Sequence, residues 1–289
     1  MAGDGVSRNR GAPVSVVHTV GVKAKRPLWG RRGGQDLRRL VRDADAVLLD
    51  FDGPVCDLFG DVPTAHIAEE IKVMARLEWG ALDRKVEDCD DSHGILQRLR
   101  DMLDGEAPAV RSRVPLGLAN TIVTGHEYAA VNSAVQAPDV ENLLDALLDL
   151  GKRLVIVSNN AEEPVWHYLK HAGLEGKFFA VHGRDPGEPR RMKPDPDVVL
   201  RALKDLDGLD PSRALLVGDQ LTDLRAAKSA GVRFLGYTQD RKRRQQMKRN
   251  RADGVVSSHA PVIAAARELL NDYSERDDYS ERRVHTESK

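Results

Sequence analysis

Short runs of consecutive apolar residues alternate with amphipathic stretches over the middle of the chain. "AVLLDF" (46–51), "RLVIVSNN" (153–160), "FFAVHG" (178–183), "ALLVGDQ" (214–220) and "RFLGYT" (233–238) have apolar residues at successive positions, so both faces of each strand are expected to be buried. Between them the period changes to that of a helix. In "PDVENLLDALLDLGK" (138–152), Leu143, Leu144, Leu147 and Leu148 share one face, Asp139 suits the N-cap and Gly151 the stop. "EEPVWHYLKHAG" (162–173) carries Pro164 in its first turn and ends at Gly173, and "DPDVVLRALKDL" (195–206) and "LTDLRAAKSAG" (221–231) complete the set. Strands alternating with helices predict βαβ units, hence an α/β fold: a doubly wound parallel sheet covered on both faces.

One segment breaks the alternation. Residues 59–136 hold no strand pattern, whereas "PTAHIAEEIKVMARLEW" (63–79), "SHGILQRLRDMLD" (92–104) and 118–135 look helical. A connection of that length is too long for a loop. It is read as an inserted all-helical subdomain beside the carboxyl ends of the strands, where open α/β sheets bind ligands. The core is then 43–58 plus 137–271. Residues 1–42, rich in Gly, Arg and Pro, and 272–289, with its doubled DYSER, are read as disordered tails.

Composition narrows the setting. The 289 residues carry a formal net charge of −1, which gives no overall pull toward nucleic acid or membrane. Charge is uneven: residues 1–42 hold ten Lys/Arg against two Asp/Glu, and "RKRRQQMKRNR" fills 241–251. The second run is read as the solvated face of a peripheral helix, so no nucleic-acid partner is expected. The only cysteines are Cys56 and Cys89, which fits a reducing cytoplasm and no disulfide framework. No apolar run approaches the ~20 residues of a membrane helix, and no secretory leader is visible.

Candidate chemistry collects at the strand ends. The first strand ends in Asp50 and Asp52, the second in Ser158 and Asn159; Lys193 sits in "RRMKPDP", and "GDQLTD" supplies Asp219 and Asp223. Four carboxylates share a small site only if cations neutralise them. All-oxygen ligation suits Mg²⁺. A lysine, a hydroxyl and helix N-terminal amides suit phosphate, and an aspartate can act as a nucleophile.

These motifs resemble the haloacid dehalogenase (HAD) superfamily of phosphohydrolases. Asp50-Phe51-Asp52-Gly53 with Val55 matches its first motif, Ser158 the second, Lys193-Pro194 the third, and Gly218-Asp219 with Asp223 the fourth. Each is common alone; all four in order at strand ends form a specific signature. The inserted helices look like the family's helical cap. The resemblance implies Asp50 as nucleophile and metal ligand, and Asp52 as general acid/base with its carbonyl on the metal. It implies phosphate contacts from Ser158, Asn159 and Lys193, and Mg²⁺ ligation by Asp219 and Asp223. The implied activity is that of a Mg²⁺-dependent phosphatase, phosphoglycolate-phosphatase-like, on a small phosphorylated metabolite. A sugar-phosphate mutase would keep the same motifs, and a non-catalytic binding module is a remote alternative. Pro54 departs from the family's usual Thr or Val and removes one N–H. The amides of 51 and 52 are the ones expected at phosphate, so activity should survive.

Weaker signals have plainer readings. His167 and His171 are four apart on a helix but lack a third ligand, so a surface or packing role is expected. Cys56 is read as a small buried thiol. Arg76, Arg84, Lys85, Arg98, Arg100, Arg111 and Arg113 are candidates in the insert for a second anionic group of a substrate, most of them being read as ordinary surface charge. Oligomeric state is not legible.

Overall fold

The computed structural model describes residues 31–59, 63–105 and 111–287, with side chains from 36 to 274. In chain order the elements are α1 (Arg31–Asp43), β1 (Ala46–Leu49), β2 (Cys56–Asp57), α2 (Ala65–Trp79), α3 (Arg84–Glu87), α4 (Ser92–Asp104), α5 (Val114–Val131), β3 (Val135–Gln136), α6 (Val140–Asp149) and β4 (Arg153–Val157). There follow α7 (Glu162–His171), β5 (Ala180–His182), α8 (Asp197–Asp205), β6 (Ala214–Gly218), α9 (Leu221–Ser229), β7 (Arg233–Tyr237), α10 (Arg241–Arg249), β8 (Gly254–Val256) and α11 (Ala260–Glu287).

Six strands form one parallel sheet in the order β5-β4-β1-β6-β7-β8. The strands are apolar throughout because successive side chains serve two cores. Leu49, Ile156 and Val217 face α6, α7, α1 and α11, while Leu48, Val155, Leu216 and Phe234 face α8, α9 and Met247 of α10. Leu49 is in register with Ile156 and Val217, so the next residues of all three strands emerge along one edge. The insert between β1 and β4, α2–α5, has its own apolar cluster built on Ile67, Ile71, Ile95, Leu99 and Val123. Cys56–Asp57 and Val135–Gln136 pair antiparallel where the chain enters and leaves it. No described helix is long and apolar enough to cross a membrane.

Three expectations need correction. Residues 31–43 form a helix, not a disordered tail: Leu37, Leu40 and Val41 recur at helical spacing, are buried, and pack toward α11. Residues 1–30 lie outside the described residues. The "DYSER" stretch continues α11 to Glu287, since it holds no Gly or Pro to stop a helix; Arg38 pairs with Asp272 between α1 and α11. A sixth strand, β8, extends the sheet beyond "RFLGYT"; its three residues are too few to show a period.

Candidate active site

The sheet edge gathers most of the candidate residues. Asp50 leaves β1 with its backbone N donating to the Val217 carbonyl at 2.9 Å, which ties it to the exit of β6. Lys193 is 3 % exposed. Its Nζ lies 2.8 Å from Asp50 Oδ1 and 2.7 Å from Asp223 Oδ1, and donates to the Val157 carbonyl at 3.0 Å. Two carboxylates and a carbonyl from three segments therefore surround its ammonium. Asp223, fully buried, accepts from Gln220 N at 2.9 Å through Oδ2, capping α9.

Two glycines make the approach possible. A Cβ on Gly218 would lie 2.6 Å from Asp223 Oδ2, and one on Gly53, whose φ is +99°, would lie 2.8 Å from Asp219 Cγ. Asp219 Oδ2 accepts from Gln220 Nε2 and Arg243 Nη1, each at 2.9 Å. Asp52 Oδ1 accepts from Leu58 N at 2.9 Å, tying this carboxylate to the strand entering the insert. Pro54 does lose an N–H, but its carbonyl accepts from buried His259 Nε2 at 2.8 Å, which stiffens the same turn.

Asn159 acts as a clamp: Oδ1 accepts from Lys193 N at 2.7 Å and Nδ2 donates to the Lys193 carbonyl at 3.2 Å. Ser158 lies behind the wall with Oγ accepting from Asn160 N at 3.1 Å. Asn160 is 4 % exposed and its Nδ2 has no hydrogen-bond partner among the described residues. The cleft, about 530 Å³, is bounded by Asp50, Asp52, Asn159, Lys193, Asp219 and Asp223 but not Ser158. From the insert, Thr64 and the start of α4, Ser92 to Gly94, face it.

Comparison with known proteins decides the family. Residues 44–231 match the model of the haloacid dehalogenase-like hydrolases. The chain belongs to that family.

Its relatives include a phosphoglycolate phosphatase of Neisseria gonorrhoeae, 28 % identical over 200 residues, covering 68 % of this chain and 81 % of that protein. A phosphoglycolate phosphatase of Nitrosospira multiformis is 30 % identical over 208 residues, covering 68 % and 86 %. Among solved structures, CbbY from Rhodobacter sphaeroides in complex with phosphate superposes with a TM-score of 0.51 at 22 % identity over 75 % of this chain and 95 % of that one, a likeness of fold. The chain is thus a HAD phosphatase distantly related to phosphoglycolate phosphatases.

The electrostatics of this HAD cleft are those of a site short of positive charge. Burial and the neighbouring Asp223 push Asp50 well up, against the pull of Lys193. The same two causes push Asp219 up to about 7, with Arg243 opposing them. Burial raises Asp52 as well. Burial works against the charge on Lys193, yet Asp223 and Asp50 hold it firmly protonated. One oxygen from each of Asp50, Asp219 and Asp223 lies within 4.8 Å of the others. Hard oxygen donors with surplus negative charge fit a divalent cation such as Mg²⁺. Asp223 gives Oδ2 to Gln220 N and faces Lys193 with Oδ1, which has no hydrogen-bond partner among the described residues, so it stays with Asp50 and Asp219 as a candidate ligand.

Several sequence candidates stand apart. None of the seven basic residues of the insert lines the cleft. Arg76 pairs with Glu69 and Glu87, Arg84 with Asp88, and Arg100 with Asp104 and Glu188. Arg111 donates to the Met102 carbonyl. His171 Nδ1 bonds the His167 carbonyl and His167 Nε2 faces Asn132 Oδ1, a packing arrangement on α7. Cys56 is buried and its thiol is pushed up by burial, as for an inert thiol. The residues missed are His93, Asn160, Gln220 and Arg243. His93 was visible as the start of a helix, but only the packing of α4 aims it at the cleft. Arg243 was hidden inside a basic run.

Proposed function

We propose that the chain is a Mg²⁺-dependent phosphomonoesterase that turns over a small phosphorylated metabolite through an aspartyl-phosphate on Asp50. One observation carries this reading: Asp50 is tied at one oxygen only. Oδ1 accepts from Phe51 N and contacts Lys193 Nζ, each at 2.8 Å, while Oδ2 has no hydrogen-bond partner among the described residues. A buried carboxylate anchored at one oxygen and open at the other is an oriented nucleophile.

The residues then divide the work. Asp50 attacks phosphorus, and the ester oxygen leaves with a proton from Asp52, which burial keeps protonated further toward neutrality. Water then attacks the aspartyl-phosphate and gives its proton to Asp52, releasing inorganic phosphate and restoring Asp50. Lys193 offsets the charge of the phosphoryl group and of Asp50. The unpartnered Asn160 Nδ2 and the Asn159 amide, at the cleft, are the donors for the phosphoryl oxygens, and Ser158 supports the turn from behind by accepting from Asn160 N. Asp50 and Asp219, with Asp223 and the Asp52 carbonyl beside them, would hold Mg²⁺, which supplies charge neutralisation at the phosphoryl oxygens.

The insert over the cleft favours small substrates. The relatives named phosphoglycolate phosphatase make phosphoglycolate the first ester to test. Two free cysteines suit the cytoplasm. The test is release of phosphate from p-nitrophenyl phosphate and from phosphoglycolate, with Mg²⁺ and with EDTA, by wild type and Asp50→Asn. Metal-dependent turnover lost in the variant is expected; turnover that survives Asp50→Asn would overturn the mechanism.

A further inference from the structure

The turn that carries Ser158, Asn159 and Asn160 is not held by the core alone. Helix α5 of the insert presents Asn120, Thr124 and Glu127 on one face, four and three residues apart. Arg184, just past β5 in the core, meets all three. Its Nε donates to Asn120 Oδ1 at 2.8 Å, its Nη2 to Thr124 Oγ1 at 2.6 Å, and its Nη1 pairs with Glu127 Oε1. The Glu127 and Arg184 side chains are 0 % and 1 % exposed.

The same pair reaches the cleft wall residue by residue. Glu127 Oε2 accepts from Ala161 N at 3.1 Å. Arg184 Nη1 lies 3.4 Å from the Asn159 carbonyl, and Arg184 N donates to the Asn160 carbonyl at 2.9 Å. The backbones are in contact, since a Cβ on Gly183 would lie 2.5 Å from that carbonyl oxygen. Glu127 Oε1 also faces His93 Nε2 at 3.2 Å, and His93 lines the cleft. Neither Glu127 nor Arg184 lines it. For packing alone an apolar pair of similar volume would serve as well as a buried ion pair. What the ion pair adds is direction: it fixes where a carboxylate and a guanidinium stand relative to two backbone groups, Ala161 N and the Asn159 carbonyl, and one imidazole.

We propose that Glu127 and Arg184 are positioning residues of the phosphate site. Seating the insert on the core locks the 159–161 turn into its phosphate-holding shape and aims His93 into the cleft. The inference rests on the phosphomonoesterase reading above. It makes phosphate binding and seating of the insert a single coupled equilibrium, so bound phosphate must stabilise the seated insert by the same factor.

The test uses Glu127→Gln and Arg184→Lys in the full chain. Binding of inorganic phosphate at saturating Mg²⁺ and binding of Mg²⁺ alone are measured by calorimetry, with thermal melts beside them. Both variants are expected to bind phosphate about tenfold more weakly, as for a misplaced site, and to lose most of the phosphate-induced rise in melting temperature. Their Mg²⁺ affinity should stay unchanged, because neither residue touches the aspartate cluster. Wild-type phosphate affinity in a variant that merely melts lower would overturn the proposal, as would equal losses of phosphate and Mg²⁺ affinity. If one variant fails to fold, the other decides. Wild-type protein that binds Mg²⁺ but no phosphate would overturn the phosphomonoesterase reading itself.

Discussion

Two buried ion clusters lie on either side of the cleft wall, and their charge balance differs. At Lys193 one ammonium faces Asp50 and Asp223, with Asp219 and Asp52 close by. At Glu127 one carboxylate is matched by Arg184 and assisted by His93. Burial penalises the charged form in both, yet the outcomes are opposite. Asp50 and Asp219 end well above the ordinary carboxylate range, while Glu127 ends below it, because His93 and Arg184 more than offset its desolvation. A balanced cluster is complete by itself. An unbalanced one has room for a cation and a phosphoryl group, and that is what separates a site of chemistry from a joint.

The contrast is broken most severely at Asp50. Asp50→Asn keeps the shape and removes the nucleophile, so kcat/KM should fall by at least about a thousandfold, with folding retained in far-ultraviolet circular dichroism. Lys193→Met comes next. It leaves Asp50 and Asp223 buried without their cation, a change worth about 3–5 kcal/mol when a buried pair is broken. A lower melting temperature, partly recovered by saturating Mg²⁺, is the expected result in calorimetric scans; recovery by EDTA instead would contradict the charge argument.

The pH response sharpens the comparison. Asp219 is raised in the folded state, so the folded protein binds this proton more tightly than the unfolded chain does. Its contribution favours folding at low pH and is lost as pH rises from about 4 toward 7. Mg²⁺ competes with that proton, so its stabilising effect should grow over the same window. Melting curves at pH 5, 6 and 7 with and without Mg²⁺ should show the metal-induced gain widening by a few degrees, at roughly 2–4 °C per kcal/mol. Glu127 has the opposite sign: its contribution is full above its unfolded value and is lost on acidification.

What the sequence disclosed follows the same division. Asp50, Asp52, Lys193, Asp219 and Asp223 were legible because each follows a strand, precedes a helix or sits in a helix's first turn where the period is visible, and a parallel sheet brings strand ends together. The Glu127–Arg184 pair was not. Its partners are 57 residues apart in different subdomains, and their meeting depends on how the insert docks, which no local period encodes. The basic residues of the insert are mostly ordinary surface charge, as expected, since ion pairs with neighbours absorb several of them. Helix α1 was missed because Arg and Gly dominate its composition while only Leu37, Leu40 and Val41 carry its buried stripe.

The smallest expected effect concerns Arg243, which partly repairs the imbalance from outside. Its guanidinium holds Asp219 Oδ2 at 2.9 Å while Lys193 serves the opposite side of the cluster. A positive charge there stands close to the place a divalent cation would take and repels it, although its side chain is 37 % exposed and water screens part of that effect. Arg243→Gln should therefore tighten Mg²⁺ binding by roughly three- to tenfold, equivalent to about 1 kcal/mol, in calorimetric titration of the phosphate-free protein. Weaker Mg²⁺ binding in Arg243→Gln would mean that orienting the Asp219 carboxylate matters more than repulsion. Arg243 would then belong with Arg184 among the groups that aim a partner rather than with Lys193 among those that balance charge.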